Sequence, residues 1–127
     1  LVAVRPPIRG KLRRVVGCGG DRDKGKRGPM AAVGEALADQ LILTSDNPRS
    51  EEPLAIIAEM VAGLANSSGA VEIPDRRKAI HHALQQSVAG DMVVIAGKGH
   101  EEYQEIKGQR LPFSDQRCVE AYYASLH

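Results

Sequence analysis

Three short apolar runs, separated by longer amphipathic stretches, constrain the fold of this chain more than any other feature of its sequence. Residues 12–16, 40–44 and 92–96 (LRRVV, QLILT and MVVIA) are typical of strands, and residues 71–73 form a weaker one. Between them, apolar residues recur at helical spacing. Strands that alternate with helices in this way predict an α/β fold, with an open, mostly parallel (mixed) sheet and helices on both faces.

Four helices are predicted from their start signals. Pro29 opens the first, Ser50 caps the second, Asp75 caps the third, and the fourth begins at Ser114 or Asp115. The residues expected to face the core are Met30, Val33 and Leu37; Leu54, Ile57, Met60, Val61 and Leu64; Ile80, Leu84 and Val88; and Cys118, Val119, Tyr122 and Leu126. Residues 103–110 are compatible with either a small hairpin or an edge strand.

Composition excludes several classes of protein. The 127 residues are 43% hydrophobic and 26% charged, which fits one globular domain. A formal net charge of +1 lacks the field that attracts nucleic acid or anionic membranes, so neither partner is expected. Cys18 and Cys118 have no metal-ligand spacing, and no leader or long apolar run is present, which favours a reducing cytoplasm. Residues 1–9 are expected to be the remnant of a linker, and residues 10–127 one domain.

Three polar segments directly follow predicted strands: GCGGDRDKGKR (17–27), DNPR (46–49) and AGKGHE (96–101). If the strands are parallel, all three segments lie at one edge of the sheet, where open α/β folds bind ligands. The glycines of the first allow close backbone approach to a phosphate, a ribose or a carboxylate. The segment matches neither the P-loop nor the dinucleotide-binding pattern. A solvated charged loop is the alternative interpretation.

The second and third segments have charges that suit a zwitterion. Arg49 follows a rigid Asn-Pro pair and can bind a carboxylate with both arms of its guanidinium, while Asp46 can accept from an ammonium. Glu101 can receive an amine in the same way. Ordinary turn chemistry with exposed charge is the alternative for both segments. His100 is not assigned a catalytic role, and the adjacent His81 and His82 do not predict a metal site.

The motifs GCGGDRDKGKR, SDNPRSEEP and VIAGKGHEEYQ, in this order, resemble the carboxy-terminal domain of Mur ligases of the MurE type, a Rossmann-like domain. The likeness runs from about Gly10 to the end of the chain and includes the D-R-R-x-A-I opening of the third helix. The chain departs from the family pattern at Gly28-Pro29, where KRPLM is usual, and at Arg13-Arg14, where the strand entry is more apolar.

The resemblance implies a reaction and its ligands. ATP phosphorylates the carboxylate of UDP-N-acetylmuramoyl-L-alanyl-D-glutamate, and the amino group of meso-diaminopimelate attacks the acyl phosphate. ATP and magnesium are expected mainly on a central domain and the sugar nucleotide on a first domain, both absent here, so the isolated chain should be inactive. The implied ligands of diaminopimelate are Arg22, Asp46, Asn47, Pro48, Arg49, Gly97 through its carbonyl, and Glu101. Asp21 and Lys24 are implied to face the nucleotide.

Three functional hypotheses follow. The first is the ligase domain that binds diaminopimelate, and the DNPR motif favours it because lysine-adding relatives lack the arginine. The second keeps the family but assigns another amino acid, such as lysine, or a role like that of folylpolyglutamate synthase. The third is a non-enzymatic α/β module that binds an anion through the glycine-rich loop.

Overall fold

The structure is a computed structural model that describes residues 9–20, 24–96, 103–106 and 109–126. Along the chain the elements are β1 Leu12–Cys18, α1 Arg27–Leu37, β2 Gln40–Ser45, α2 Pro53–Val61, β3 Ala70–Glu72, α3 Arg76–Gln86, β4 Met92–Ala96, β5 Tyr103–Ile106, β6 Gln109–Pro112 and α4 Asp115–Ala124. Short 3-10 turns occupy Lys24–Lys26 and Ser67–Gly69. Within these residues no helix is both long enough and apolar enough to cross a membrane.

The main sheet has four strands in the order β3-β2-β1-β4, and every neighbouring pair is parallel. Cys18 lies opposite Ser45 on β2, and Val16 lies opposite Ala96 on β4. The segment around residues 103–110 forms a separate antiparallel hairpin of β5 and β6. The predicted α/β class and parallel strands are therefore confirmed, and the open question about this segment is answered by a hairpin.

Helices cover both faces of the sheet, as predicted, and each face has its own apolar core. The α1 and α2 side is built from Val16, Cys18, Ala31, Leu41, Leu43, Ile56, Ile57 and Met60. The α3 and α4 side is built from Val15, Ile42, Ala79, Ile80, Ala83 and Cys118. Central strands buried on both faces are what a parallel sheet requires.

Two of the three core positions predicted for α1 are wrong, and the third, Leu37, is half-buried. Met30 and Val33 are 42% and 49% exposed, whereas Ala31 and Gly34 are buried. Small residues face the sheet because the helix packs close to it: a Cβ on Gly34 would lie 3.0 Å from Leu41 Cδ1. Close packing thus outweighs the size of the apolar side chains in setting the rotation of this helix.

Errors of the same kind occur in the other helices. Leu54 on α2 was expected in the core but is 62% exposed, and Ile56 is buried instead. Val88 and Leu126 lie beyond the ends of α3 and α4 and are exposed. The face predicted through Ile57 and Met60 is confirmed, since both are fully buried.

The predicted side-chain cap at Asp75 and the predicted start of the fourth helix at Ser114 or Asp115 are confirmed. Asp75 accepts a hydrogen bond from the Lys78 amide at 3.1 Å, and Ser114 accepts one from the Arg117 amide at 3.3 Å. The prediction that Ser50 caps α2 is wrong, because the helix begins at Pro53 and its N-cap is Glu52. Proline at the first helical position needs no amide partner and fixes the backbone there.

At the amino end of the sheet, a buried ion pair accommodates the unusual strand entry. Arg13 Nη1 donates to Asp91 Oδ2 at 2.7 Å, and Arg13 Nε donates to Gln40 Oε1 at 3.0 Å. Asp91 also accepts from the amides of Lys11 (2.9 Å) and Val88 (3.1 Å). These two amides and then Arg13 lower the pKa of Asp91 from 3.8 to about 2.

The other departure from the family pattern lies where α1 meets α2. Gly28 packs against Gly63, and a Cβ on Gly28 would lie 3.3 Å from Gly63 Cα. Pro29 stands in the first turn of α1, where a missing amide hydrogen breaks no helical bond. The substitution therefore fits a close contact between the two helices.

Candidate functional site at the carboxyl end of the sheet

The carboxyl ends of β1, β2 and β4 lie at one edge of the sheet because the three strands are parallel. The polar segments that follow β1 and β2 therefore begin side by side, as the sequence predicted. β4 lies on the side of β1 opposite to β2, so the strand order reverses beside β1. Open α/β sheets bind ligands in the crevice at such a reversal.

The glycine-rich loop after β1 packs directly on the DNPR turn after β2. The Gly20 amide donates to the Asn47 carbonyl oxygen at 2.6 Å. A Cβ on Gly20 would overlap the Pro48 carbonyl oxygen, so only glycine fits at this point of contact. The two segments form one surface rather than two independent loops.

The DNPR turn is largely buried, with one partly exposed member. Asp46 and Asn47 are 8% and 1% exposed, and Pro48 is also buried, whereas Arg49 is intermediate. The turn closes through the Glu51 amide, which donates to the Pro48 carbonyl oxygen at 3.0 Å. Arg49 is thus the side chain of the motif that a ligand reaches most directly from solvent.

Arg49 has a strained backbone. It is the non-glycine residue with positive φ (53°) among the described parts of the chain, a conformation that costs roughly 1–3 kcal/mol. Its Nη1 donates to the Gly20 carbonyl oxygen at 2.9 Å and to the Asn47 carbonyl oxygen at 3.3 Å. The strain and the two hydrogen bonds fix the direction in which the guanidinium leaves the turn.

Arg27, the last residue of the charged segment after β1, is buried and not open to solvent. Its side chain is 2% exposed and donates from Nη1 and Nη2 to the two oxygens of Glu51, at 3.1 and 2.8 Å. It also donates to Glu59 Oε2 at 3.0 Å and to the Gly19 carbonyl oxygen at 2.9 Å. The hydrogen bond with Glu51 raises the pKa of Arg27 above its usual range.

Arg76 is a second buried arginine at this edge. Its Nε and Nη2 each donate to one oxygen of Asp115 at 2.7 Å. The same guanidinium donates to the Ser45 carbonyl oxygen at 3.1 Å and to the Ala96 carbonyl oxygen at 3.4 Å. It joins the ends of β2 and β4 to the start of α4.

The nucleophilic side chains at the ends of β1 and β2 are buried, and that of Ser45 is engaged in a hydrogen bond. Ser45 Oγ donates to the Pro74 carbonyl oxygen at 2.8 Å. Burial raises the pKa of the Cys18 thiol, which disfavours the thiolate. The geometry here suits binding and orientation of a charged ligand, rather than covalent catalysis.

Of the predicted site residues, the structure brings together Asp46, Asn47, Pro48 and Arg49. Arg22, Gly97 and Glu101 lie outside the described residues, as does Asp21, and Lys24 is described only through its backbone. Sequence reasoning missed the positions of Arg27 and Arg76 at the base of the site. The signals available were the arginine at the end of the charged loop and the one directly after the Asp75 cap.

A groove and the distribution of possible metal ligands complete the description of the surface. A groove of about 550 Å³ lies between the carboxyl ends of α3 and α4, and its described lining includes Val88, Tyr123 and Leu126 but no predicted ligand residue. Over the described ranges, no group of three or more His, Cys, Asp or Glu side chains could hold a metal ion.

Known proteins are similar to this chain in sequence and in fold. A diaminopimelate ligase of Chromobacterium violaceum, named UDP-N-acetylmuramoyl-L-alanyl-D-glutamate--2,6-diaminopimelate ligase, is 55% identical over 114 residues, which are 90% of this chain and 23% of the relative. The protein of the same name from Synechococcus sp. is 53% identical over 121 residues, 94% of this chain and 24% of the relative. The chain therefore spans about a quarter of the length of the curated relatives it matches.

A solved structure of a ligase with this name superimposes with a TM-score of 0.88 at 50% sequence identity, over 94% of this chain and 25% of that one. The sequence profile of the family described as "Mur ligase, glutamate ligase domain" matches residues 1–99. Both the sequence and the fold thus lead to one family. This chain belongs to the Mur ligase family and corresponds to its glutamate ligase domain.

Proposed function

We propose that this chain is the amino-acid-binding domain of an ATP-dependent ligase that adds meso-diaminopimelate to UDP-N-acetylmuramoyl-L-alanyl-D-glutamate. The observation that carries the proposal is Arg49, held at positive φ against the glycine-rich loop and partly exposed at the carboxyl edge of the sheet. The names of the relatives support it, because each names this reaction. They disfavour the non-enzymatic anion-binding module.

Diaminopimelate has an ammonium and a carboxylate at each end, so its site needs charges of both signs. A planar guanidinium binds a carboxylate with two parallel hydrogen bonds, which lysine cannot reproduce. In the proposal Arg49 and Arg22 hold carboxylates, and Asn47 and Pro48 shape the turn beside them. Asp46, Glu101 and the Gly97 carbonyl receive the distal ammonium.

The distal carboxylate distinguishes diaminopimelate from lysine. When lysine is bound, the bidentate pairing between the Arg49 guanidinium and a distal carboxylate cannot form, and its stabilisation is lost. Arg49 is therefore proposed to reject lysine as well as to bind diaminopimelate. Lysine has no carboxylate at its distal end, so it uses this turn less well.

ATP and magnesium are proposed to bind mainly on a central domain of the longer ligase, which acts in the cytoplasm. From this chain, Asp21 is proposed to contact the ribose and Lys24 the phosphates. The described residues contain no cluster of metal ligands, so magnesium is not assigned to them. The contribution of this domain is to bring the amino group of the substrate to the acyl phosphate in a fixed orientation.

The test is the amino acid preference of the intact ligase. Arg49→Ala is expected to raise the KM for diaminopimelate and to reduce the preference for diaminopimelate over lysine. Arg117→Ala removes an exposed arginine on α4 and is the matched control, with both parameters unchanged. A wild-type enzyme that adds lysine, or an Arg49→Ala enzyme with unaltered preference, would contradict the proposal.

Binding by the chain alone gives a second measurement. Calorimetric titration with meso-diaminopimelate, with L-lysine as the control ligand, is expected to detect selective binding that Arg49→Ala abolishes. Turnover is not expected, because the acyl phosphate forms on parts of the ligase that this chain does not include.

A further inference from the structure

We propose that Arg27 and Glu51 are positioning residues that set where the Arg49 guanidinium stands, and thereby determine selectivity for an amino acid with a second carboxylate. The inference rests on the proposed function, since it concerns the same site. Neither residue is proposed to touch the substrate. They act through the two segments that Arg49 connects.

Arg27 connects the segment after β1 to the segment after β2 through buried hydrogen bonds. Its guanidinium bonds both oxygens of Glu51, which belongs to the segment after β2, and the carbonyl oxygen of Gly19, which belongs to the segment after β1. Arg27 and Glu51 are 24 positions apart in the chain, so the link between them is a tertiary contact. A bidentate pair fixes both distance and angle between its partners.

Each end of this link lies next to an atom that holds Arg49. Gly19 directly precedes Gly20, whose carbonyl oxygen accepts from Arg49 Nη1 at 2.9 Å. Glu51 closes the turn that contains Arg49, because its amide donates to the Pro48 carbonyl oxygen at 3.0 Å. A change in the spacing of Gly19 and Glu51 therefore moves the two anchors of Arg49 relative to each other.

The positive φ of Arg49 makes this support necessary. A non-glycine residue keeps such a conformation only where its surroundings enforce it. With the link broken, the backbone can relax toward negative φ, which would redirect the guanidinium. The expected consequence is a site that still binds amino acids but binds the distal carboxylate weakly.

Glu59 provides a matched control within the same cluster. It bonds Arg27 through Oε2 at 3.0 Å, and its side chain is 41% exposed, against 17% for Glu51. It lies within α2 and is not part of either ligand-bearing segment. Removing its charge weakens the environment of Arg27 without breaking the connection between Gly19 and Glu51.

The experiment compares Glu51→Gln, Arg27→Lys and Glu59→Gln in the intact ligase. For Glu51→Gln and Arg27→Lys, the KM for diaminopimelate should rise by roughly 10- to 100-fold, as misplacement of a binding group by about 1 Å can cause. The KM for ATP should stay unchanged, and the ratio of kcat/KM for diaminopimelate to that for lysine should fall. Glu59→Gln should change none of these by more than about twofold.

Two results would overturn the inference. One is a folded Glu51→Gln enzyme with wild-type diaminopimelate KM and selectivity. The other is loss of folding in both Glu51→Gln and Arg27→Lys, measured by circular dichroism, since the pair would then be needed for the fold and not for the site. Arg49→Ala separates this failure from failure of the proposed function: if it still abolishes selectivity, the substrate assignment stands and only the positioning role is lost.

Discussion

The two ends of the sheet both contain buried arginine–carboxylate pairs, but a different group is central at each end. At the amino end the carboxylate of Asp91 is central, and it accepts from Arg13 and from two backbone amides. At the carboxyl end the guanidinium is central: Arg27 donates to the Gly19 carbonyl oxygen, and Arg76 donates to those of Ser45 and Ala96.

The direction of parallel strands explains this difference. Amide groups without a ladder partner accumulate where parallel strands begin, and carbonyl oxygens accumulate where they end, and buried groups of either kind need partners. A carboxylate can accept from the free amides at the amino end, and a guanidinium can donate to the free carbonyl oxygens at the carboxyl end. The functional consequence is that buried arginines connect the segments at the carboxyl end of the sheet. More exposed charged groups such as Arg49 are then available there for a ligand.

The largest expected effect of breaking this arrangement is at Arg76. Arg76→Gln removes the two bonds to Asp115 and leaves that carboxylate and the Ser45 carbonyl oxygen without their donor, which should cost about 3–5 kcal/mol of unfolding free energy. Urea denaturation measures this loss. Arg77→Gln, one residue along α3 and exposed, is the control and should stay within about 0.5 kcal/mol of wild type.

An intermediate effect is expected at two glycines, one at each end of the sheet. Gly20→Ala places a Cβ against the Pro48 carbonyl oxygen and forces the loops apart, costing about 1–3 kcal/mol. Gly90 has φ of +95° with no heavy atom closer than 3.7 Å to an added Cβ, so Gly90→Ala costs only the backbone strain, about 1 kcal/mol.

Activity sharpens the comparison between these two variants. In the intact ligase, Gly20→Ala should raise the KM for diaminopimelate, the proposed substrate, because Gly20 provides the oxygen that holds Arg49. Gly90→Ala should leave that KM unchanged at temperatures where both variants are folded. Equal KM values for the two variants would show that the contact between the loops does not matter for binding.

Local periodicity and loop chemistry predicted much of the fold. The predictions of four strands in a parallel sheet, of adjacent polar segments after β1 and β2, of the Asp75 cap and of the start of the fourth helix depend on patterns of residues close in sequence. The rotation of α1 does not. It depends on how closely the helix approaches Leu41 on β2, and the sequence shows the small residues but not the distance they make possible.

The base of the site could not be predicted for a related reason. Arg76 and Asp115 are 39 residues apart in the chain, and their pairing exists only once α3 and α4 lie on the same face of the sheet. From its sequence neighbours alone, Arg27 is expected in a charged loop open to solvent. Tertiary contacts buried it beneath that loop, so its role is visible only in three dimensions.

The smallest expected effect concerns the amino end and its dependence on pH. The folded pKa of Asp91 is about 2, below the value of 3.8 for an unperturbed side chain. A lowered folded pKa contributes stability that is fully present above the unfolded value and is lost as the pH falls through the folded value. Between about pH 4 and about pH 2, the unfolding free energy of the wild type should therefore decline more steeply than that of Asp91→Asn.

Urea denaturation at several pH values in this range measures the difference in slope between the two proteins. Above pH 5 the two curves should run parallel, with Asp91→Asn less stable because the amide accepts more weakly from Arg13 and from the Lys11 and Val88 amides. Parallel curves down to pH 2 would contradict the lowered pKa. The three hydrogen bonds to Asp91 would then not favour its charged form over its protonated form, and the contrast between the two ends of the sheet would be one of geometry alone.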